Sequence, residues 1–161
     1  MRENREARSV RHRPPRLELL SPGVRPFYFV TFNVCRRRAL LAQAAVHLAF
    51  VQFCRQALDR GVTVGRYVLM PDHAHLFVAF QPGELALARW MQSLKNYVGK
   101  TLLQLGNKKP HWQEGFFDHV LRSDESYAQK WEYVRLNPVR AGLVALPDDW
   151  PYQGEIAPIR F

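Results

Sequence analysis

The sequence predicts one α+β domain of the ferredoxin-like, RRM-like kind: an antiparallel sheet with helices on one face, plus a C-terminal helix. Three observations predict it. Short runs rich in aromatic and β-branched residues read as half-buried strands. Between them lie longer segments whose apolar residues recur at helical spacing. Their order along the chain is β-α-β-β-α-β-α, and the first six elements make the split βαββαβ arrangement. At 161 residues, 47% of them apolar, the chain has material for one core and not for two.

Residues 1–26 stand apart. They hold seven arginines, three acidic residues and four prolines, with little apolar periodicity. That composition reads as a basic, flexible or extended arm, leaving residues 27–161 as the folded domain. Phe27 to Val34 (FYFVTFNV) is the first strand. Ala39 to Leu58 is the first helix, with Leu41, Val46, Phe50, Cys54 and Leu58 among its apolar positions and Gly61 closing it. Val62 to Met70 and His73 to Phe80 are the second and third strands, joined by a tight turn at Pro71-Asp72. Pro82-Gly83 breaks the chain, and Glu84 to Leu105 is a long amphipathic helix ending at Gly106. Trp112 to Leu121 is the fourth strand. Asp124 to Leu136 is the last helix, capped by Ser123 or Asp124 and stopped by Pro138. The sheet face away from the helices is expected to stay open.

Twenty-three Lys and Arg oppose fourteen Asp and Glu, a net charge of +9. The arm, seven against three, carries +4, so residues 27–161 keep +5 and the domain itself is basic. Such a balance points to a polyanion, most often nucleic acid; a solvated basic surface without a partner is the plain alternative. Two cysteines, Cys35 and Cys54, make neither a disulfide framework nor a zinc finger and read as reduced thiols. The charged first residues and the short apolar runs predict neither a leader nor a membrane span, so the expected location is the cytoplasm.

The sharpest local pattern is Met70-Pro71-Asp72-His73-Ala74-His75-Leu76-Phe77-Val78. Side chains alternate faces along a strand, so His73 and His75 point the same way, roughly 7 Å apart. Two imidazoles at that spacing can converge on one cation. They can equally be polar residues of a half-exposed strand, and a structural zinc site would need four ligands. On the last helix Tyr133 and Asn137 are four apart, hence on one face. A phenol with a pKa near 10 is a weak nucleophile at neutral pH, and a cation on the scissile phosphate relieves that demand. An Asn carbonyl oxygen beside two imidazoles, with open positions, suits Mg²⁺ or Mn²⁺ better than a closed zinc site. A packed tyrosine and a helix C-cap explain the same two residues without chemistry. Tyr97, beside Lys95 and Lys100, is a rival phenol that spacing does not exclude.

Taken in order, MPDHAHLFV, SLKNY, HWQEGFFDH, YVRLNPVRAGLV and DWPY resemble the REP-associated tyrosine transposases, part of the single-tyrosine, insertion-sequence-type branch of the His-hydrophobic-His (HUH) nuclease superfamily. The match runs from about Phe27 to Tyr152. The resemblance implies that His73 and His75 hold a divalent metal, that Asn137 takes the third-ligand place, and that Tyr133 is the nucleophile. It implies cleavage of single-stranded DNA with a 5′-phosphotyrosine link and a free 3′ hydroxyl. The substrate it implies is a hairpin of the repetitive extragenic palindromes of a bacterial genome. Monomer and homodimer are both compatible with it, and the long N-terminal arm departs from it.

Arg36, Arg37 and Arg38, directly after the first strand, are candidate DNA contacts, as are Lys95, Lys100, Lys108, Lys109, Arg122, Arg135 and Arg140. Contacts of this type set affinity and salt dependence rather than sequence preference. Two other readings compete. One is a non-catalytic RRM-like single-strand binder, stacking bases on aromatics of the open sheet face. The other is a metallohydrolase using water, for which no extra carboxylate base is evident.

Overall fold

Two strands make the middle of the sheet: β1 (Phe27–Asn33) pairs antiparallel with β3 (His73–Phe80). Outside them lie β2 (Val62–Leu69), β4 (Phe117–Val120) and a short β5 (Gln153–Glu155), in the order β4-β1-β3-β2-β5 with every pairing antiparallel. The computed structural model describes residue 25 and residues 27–82 and 87–160. The expected arm, apart from Arg25, and the expected helix start at Glu84 lie outside the described residues.

Strand alternation sorts the core into two layers. Tyr28, Val30, Phe32, Ala74, Leu76, Val78 and Phe80 point to one face, where α1 (Ala44–Ala57) and α2 (Leu87–Gln104) pack on them. Helix α2 meets the sheet with Leu87, Trp90, Met91, Leu94, Val98 and Leu102, a stripe at helical spacing. Strand β2 changes register between Val64 and Tyr67, so Gly65 and Arg66 together oppose Phe77. The bulge resets parity: Val62 and Val64 face the helices before it, and Tyr67 and Leu69 after it. A Cβ at Gly65 would stand 2.8 Å from Ile159 Cδ1, so a larger residue there would make that side chain shift.

The other face is not open. Helix α3 (Asp124–Arg135) and the C-terminal segment lie on it, burying Phe27, Phe29, Val68, Met70, Phe77 and Ala79 with Val134 and Trp150. Tyr127 meets Phe77 edge-on at 4.6 Å between centroids, and Trp131 meets it at 6.4 Å. Trp150 donates its indole N–H to the Leu69 carbonyl at 3.0 Å, and Leu69 N donates to the Tyr152 carbonyl. The DWPY segment thus seals the edge of this layer and leads into β5, which the sequence did not predict.

Other boundaries differ for local reasons. Residues 39–43 do not join α1, because Leu40 and Leu41 turn inward and both donate their backbone N–H to the Pro71 carbonyl. The fourth strand is shorter than Trp112 to Leu121. Trp112 makes only an isolated bridge with Val34, Gly115 sits at φ +72°, and the Lys95 ammonium takes the carbonyls of Gln113 and Gly115. Ser123 is the cap of α3, its hydroxyl accepting from Ser126 N at 3.2 Å. Pro138 does not stop the chain. It begins a further helical turn, α4 (Asn137–Arg140), in a position where its missing N–H costs nothing.

Candidate active site

The antiparallel register sets Asn33 opposite His73 and Thr31 opposite His75 at one end of β1 and β3. Both imidazoles are tethered at Nδ1. His73 Nδ1 lies 2.7 Å from Asp72 Oδ1, and His75 Nδ1 lies 2.7 Å from Thr31 Oγ1. A carboxylate only accepts, so His73 Nδ1 carries a proton, and in the neutral ring Nε2 then presents a lone pair. Asp72 is itself held by Arg37, whose Nε is 2.9 Å from Oδ2, and Arg37 also donates to Asn33 Oδ1. The two rings lie 4.9 Å apart between centroids, nearly perpendicular. His75 also stacks on Phe29 at 5.4 Å.

Burial pushes the His75 imidazole down to about 3, helped by the positive charges of His73, Arg140, Lys130 and Arg37. A ring held neutral near pH 7 is a ready metal ligand. The same charges suit a phosphate at this end of the sheet, while they oppose a bare cation.

Helix α3 carries the remaining groups. Its buried edge, Tyr127, Trp131 and Val134, fixes it against Phe77 and Phe29. The Lys130 ammonium lies 5.2 Å over the Phe29 ring, beside His75. Tyr133 is 63% exposed. Asn137 begins α4, and Arg140 joins it to Tyr133. The Arg140 guanidinium lies 4.2 Å above the Tyr133 ring, donates to the Tyr133 carbonyl at 2.6 Å, and donates to Asn137 Oδ1. Among the described residues no three His, Cys, Asp or Glu side chains form a metal set. His73, His75 and the Asn137 amide would offer two imidazole nitrogens and one amide oxygen, a donor chemistry compatible with Mg²⁺ or Mn²⁺.

Tyr97 sits on α2, its ring tilted against that of Phe53 at 5.3 Å in the helix layer, across the sheet from the histidines. The other candidate cations divide. Arg38 donates to the Cys35, Lys108 and Pro110 carbonyls, so it ties two loops together. Lys95 is half-buried against Phe32 with its ammonium on two carbonyls, and burial lowers its pKa. Arg135 lies 3.1 Å from Glu132 and 3.7 Å from Asp148. Arg36, Lys100, Lys108, Lys109 and Arg122 are exposed. Sequence reasoning missed Thr31, Lys130 and the role of Asp72. Lys130 stands three before Tyr133 and seven before Asn137, a spacing that places all three on one helical face; the Thr31–His75 contact needs the strand register. Phe27, Phe29 and Phe77, the aromatics a stacking platform would need, are 3%, 6% and 0% exposed.

Fold and geometry define the class: a ferredoxin-like sheet whose H-x-H pair ends beside a helix bearing an exposed tyrosine. The chain belongs to the family "Transposase IS200 like", whose model matches residues 27–135. The REP-associated tyrosine transposase of Escherichia coli K12 is 26% identical over 126 residues, 78% of this chain and 73% of that protein. A Haemophilus influenzae relative is 27% identical over 94 residues, 52% of this chain and 53% of its own length. The fold is shared with a REP-associated tyrosine transposase solved bound to a REP hairpin. That match has a TM-score of 0.66 and 23% identity, covering 86% of this chain and 82% of that one.

Proposed function

We propose that the protein is a metal-dependent, single-tyrosine nuclease and strand transferase of single-stranded DNA, acting beside hairpins of repetitive palindromes. The observation that supports this reading is the tethering of both histidines at Nδ1, with Lys130 and Arg140, on the helical segments that carry Tyr133 and Asn137, close enough for their charges to act on His75. His73, His75 and Asn137 would hold Mg²⁺ or Mn²⁺, which when bound supplies positive charge to the scissile phosphate. Tyr133 Oη attacks phosphorus, forming a P–O bond as the bond to the 3′ oxygen breaks. The phenol proton passes to water and the departing 3′ oxygen takes one up. One ester replaces another, so a 3′ hydroxyl can reverse the step and rejoin a strand. Arg37, Lys130 and Arg140 surround His75 with the charge a phosphate needs.

The hairpin preference rests on the E. coli relative and on the structural neighbour's bound REP hairpin. An RRM-like binder is disfavoured by the burial of the aromatics on that face. The test is incubation of the full chain with labelled hairpin-bearing single-stranded DNA and Mn²⁺, followed by denaturing electrophoresis. A covalent protein–DNA band that vanishes with EDTA supports the reading. Cleavage without an adduct would transfer it to a water-using hydrolase.

A further inference from the structure

Arg140 occupies the position where the proposed nucleophile and the proposed third ligand meet. Its guanidinium covers one face of the Tyr133 ring and donates both to the Tyr133 carbonyl and to Asn137 Oδ1. That amide oxygen is the atom a divalent cation would need. Arg140 is also one of the charges that act on His75. A guanidinium and a divalent cation on one amide oxygen stand close together, so although that oxygen has two lone pairs, their like charges repel and each weakens the other's hold on it.

We propose that Arg140 is a positioning residue that competes with the metal for Asn137 Oδ1 and yields it when a phosphate draws the guanidinium away. The inference rests on the metal reading above. Its ligand chemistry is that of an anionic phosphodiester, to which Arg binds in bidentate fashion more strongly than to a neutral amide. Before DNA arrives, Asn137 is held by Arg140 and metal binding relies on the two histidines. Once a strand phosphate takes the guanidinium, Asn137 is released to complete the set. Metal and DNA then strengthen each other's binding by the same factor, as linkage requires. Arg140 keeps the Tyr133 backbone and ring in register throughout, and it need not itself move protons.

The test is Mn²⁺ binding to the full chain without DNA, read as loss of the free-ion signal in electron paramagnetic resonance. Removing a hydrogen-bonded competitor should tighten Mn²⁺ binding about three- to tenfold in Arg140→Ala. Removing any nearby positive charge would tighten it somewhat, so Lys130→Ala is the control: it deletes a charge that also acts on His75 but makes no bond to Asn137. The proposal expects Arg140→Ala to exceed Lys130→Ala clearly, and expects that excess to disappear when Asn137→Ala is added. Equal effects of the two single variants, or an Arg140 effect that persists without Asn137, overturn it. Failure of the metal reading looks different: His73→Ala and wild type would then bind Mn²⁺ alike.

Discussion

His75 Nδ1 lies 2.7 Å from the Oγ1 of Thr31, its direct cross-strand partner, so one β1–β3 pair fixes the orientation of a proposed metal ligand. The contact occupies Nδ1 and leaves Nε2 as the ring nitrogen available to a ligand. Thr31→Val keeps shape and strand propensity while removing the hydroxyl. Loss of such a supporting contact typically weakens metal binding about tenfold or more. Mn²⁺ titration should show that loss with the thermal unfolding midpoint nearly unchanged. Wild-type affinity in Thr31→Val would show that the hydroxyl does not orient the ring.

The arginine triplet should split by role. Arg38 donates to carbonyls of two loops, whereas Arg36 is exposed and has no ion pair or side-chain hydrogen bond among the described residues. Arg38→Ala should lower stability by about 1 kcal/mol, a few degrees in Tm. Arg36→Ala should leave Tm unchanged and reduce the slope of log affinity for DNA against log salt by about one. A salt slope that responds to Arg38 and not to Arg36 would reverse this assignment.

Where the sequence was legible, one period dominated. The alternation of Phe27 to Asn33 and of His73 to Phe80, and the stripe from Leu87 to Leu102, are single-period patterns, and the elements follow them closely. The placement of His73 and His75 away from Leu76 and Val78 follows from alternation alone. Tertiary contacts decided the rest. Leu40 and Leu41 have helical spacing but are pulled out of α1 by the Pro71 carbonyl, and Gln153–Glu155 becomes a strand only because β2 offers it an edge. The covering of the second face could not be read from periodicity, because α3 buries only Val134 fully and keeps a mostly polar composition. The Asp72, Thr31 and Arg140 contacts depend on register and on the turn at Leu136, which local pattern does not encode.

Tyr67 gives a pH prediction about the fold. Its ring packs on Phe50, and its hydroxyl lies 2.7 Å from His47 Nε2. Burial, with the Cys54 thiol adding to it and Arg55 opposing, pushes its pKa up to about 12. The folded chain therefore keeps this proton where the unfolded chain has lost it. Stability from this group is whole below about pH 10 and drains away as pH rises toward 12. The midpoint of urea unfolding should fall between those values in wild type and fall less steeply in Tyr67→Phe. Identical slopes would remove Tyr67 from the cause.

Tyr133, and not Tyr97, should become joined to DNA. Tyr133 is 63% exposed on the helix that lies over the histidine-bearing face, and Asn137 follows it by four residues. Tyr97 packs its ring at a tilt against Phe53 between the two helices of the opposite layer, where a scissile phosphate would have to cross the sheet to meet His75. Tyr133→Phe removes one oxygen from an exposed ring, so stability should change by less than about 0.5 kcal/mol. Mn²⁺ affinity should persist, because the phenol is not among the proposed ligands. The covalent adduct should disappear, while Tyr97→Phe should form it at close to the wild-type level. Denaturing electrophoresis of labelled single-stranded hairpin substrate, with peptide mapping of the attached residue, decides between them. An adduct that survives in Tyr133→Phe, or that maps to Tyr97, would mean that the strand approaches from the helix layer and that the histidine pair is not the centre of the reaction.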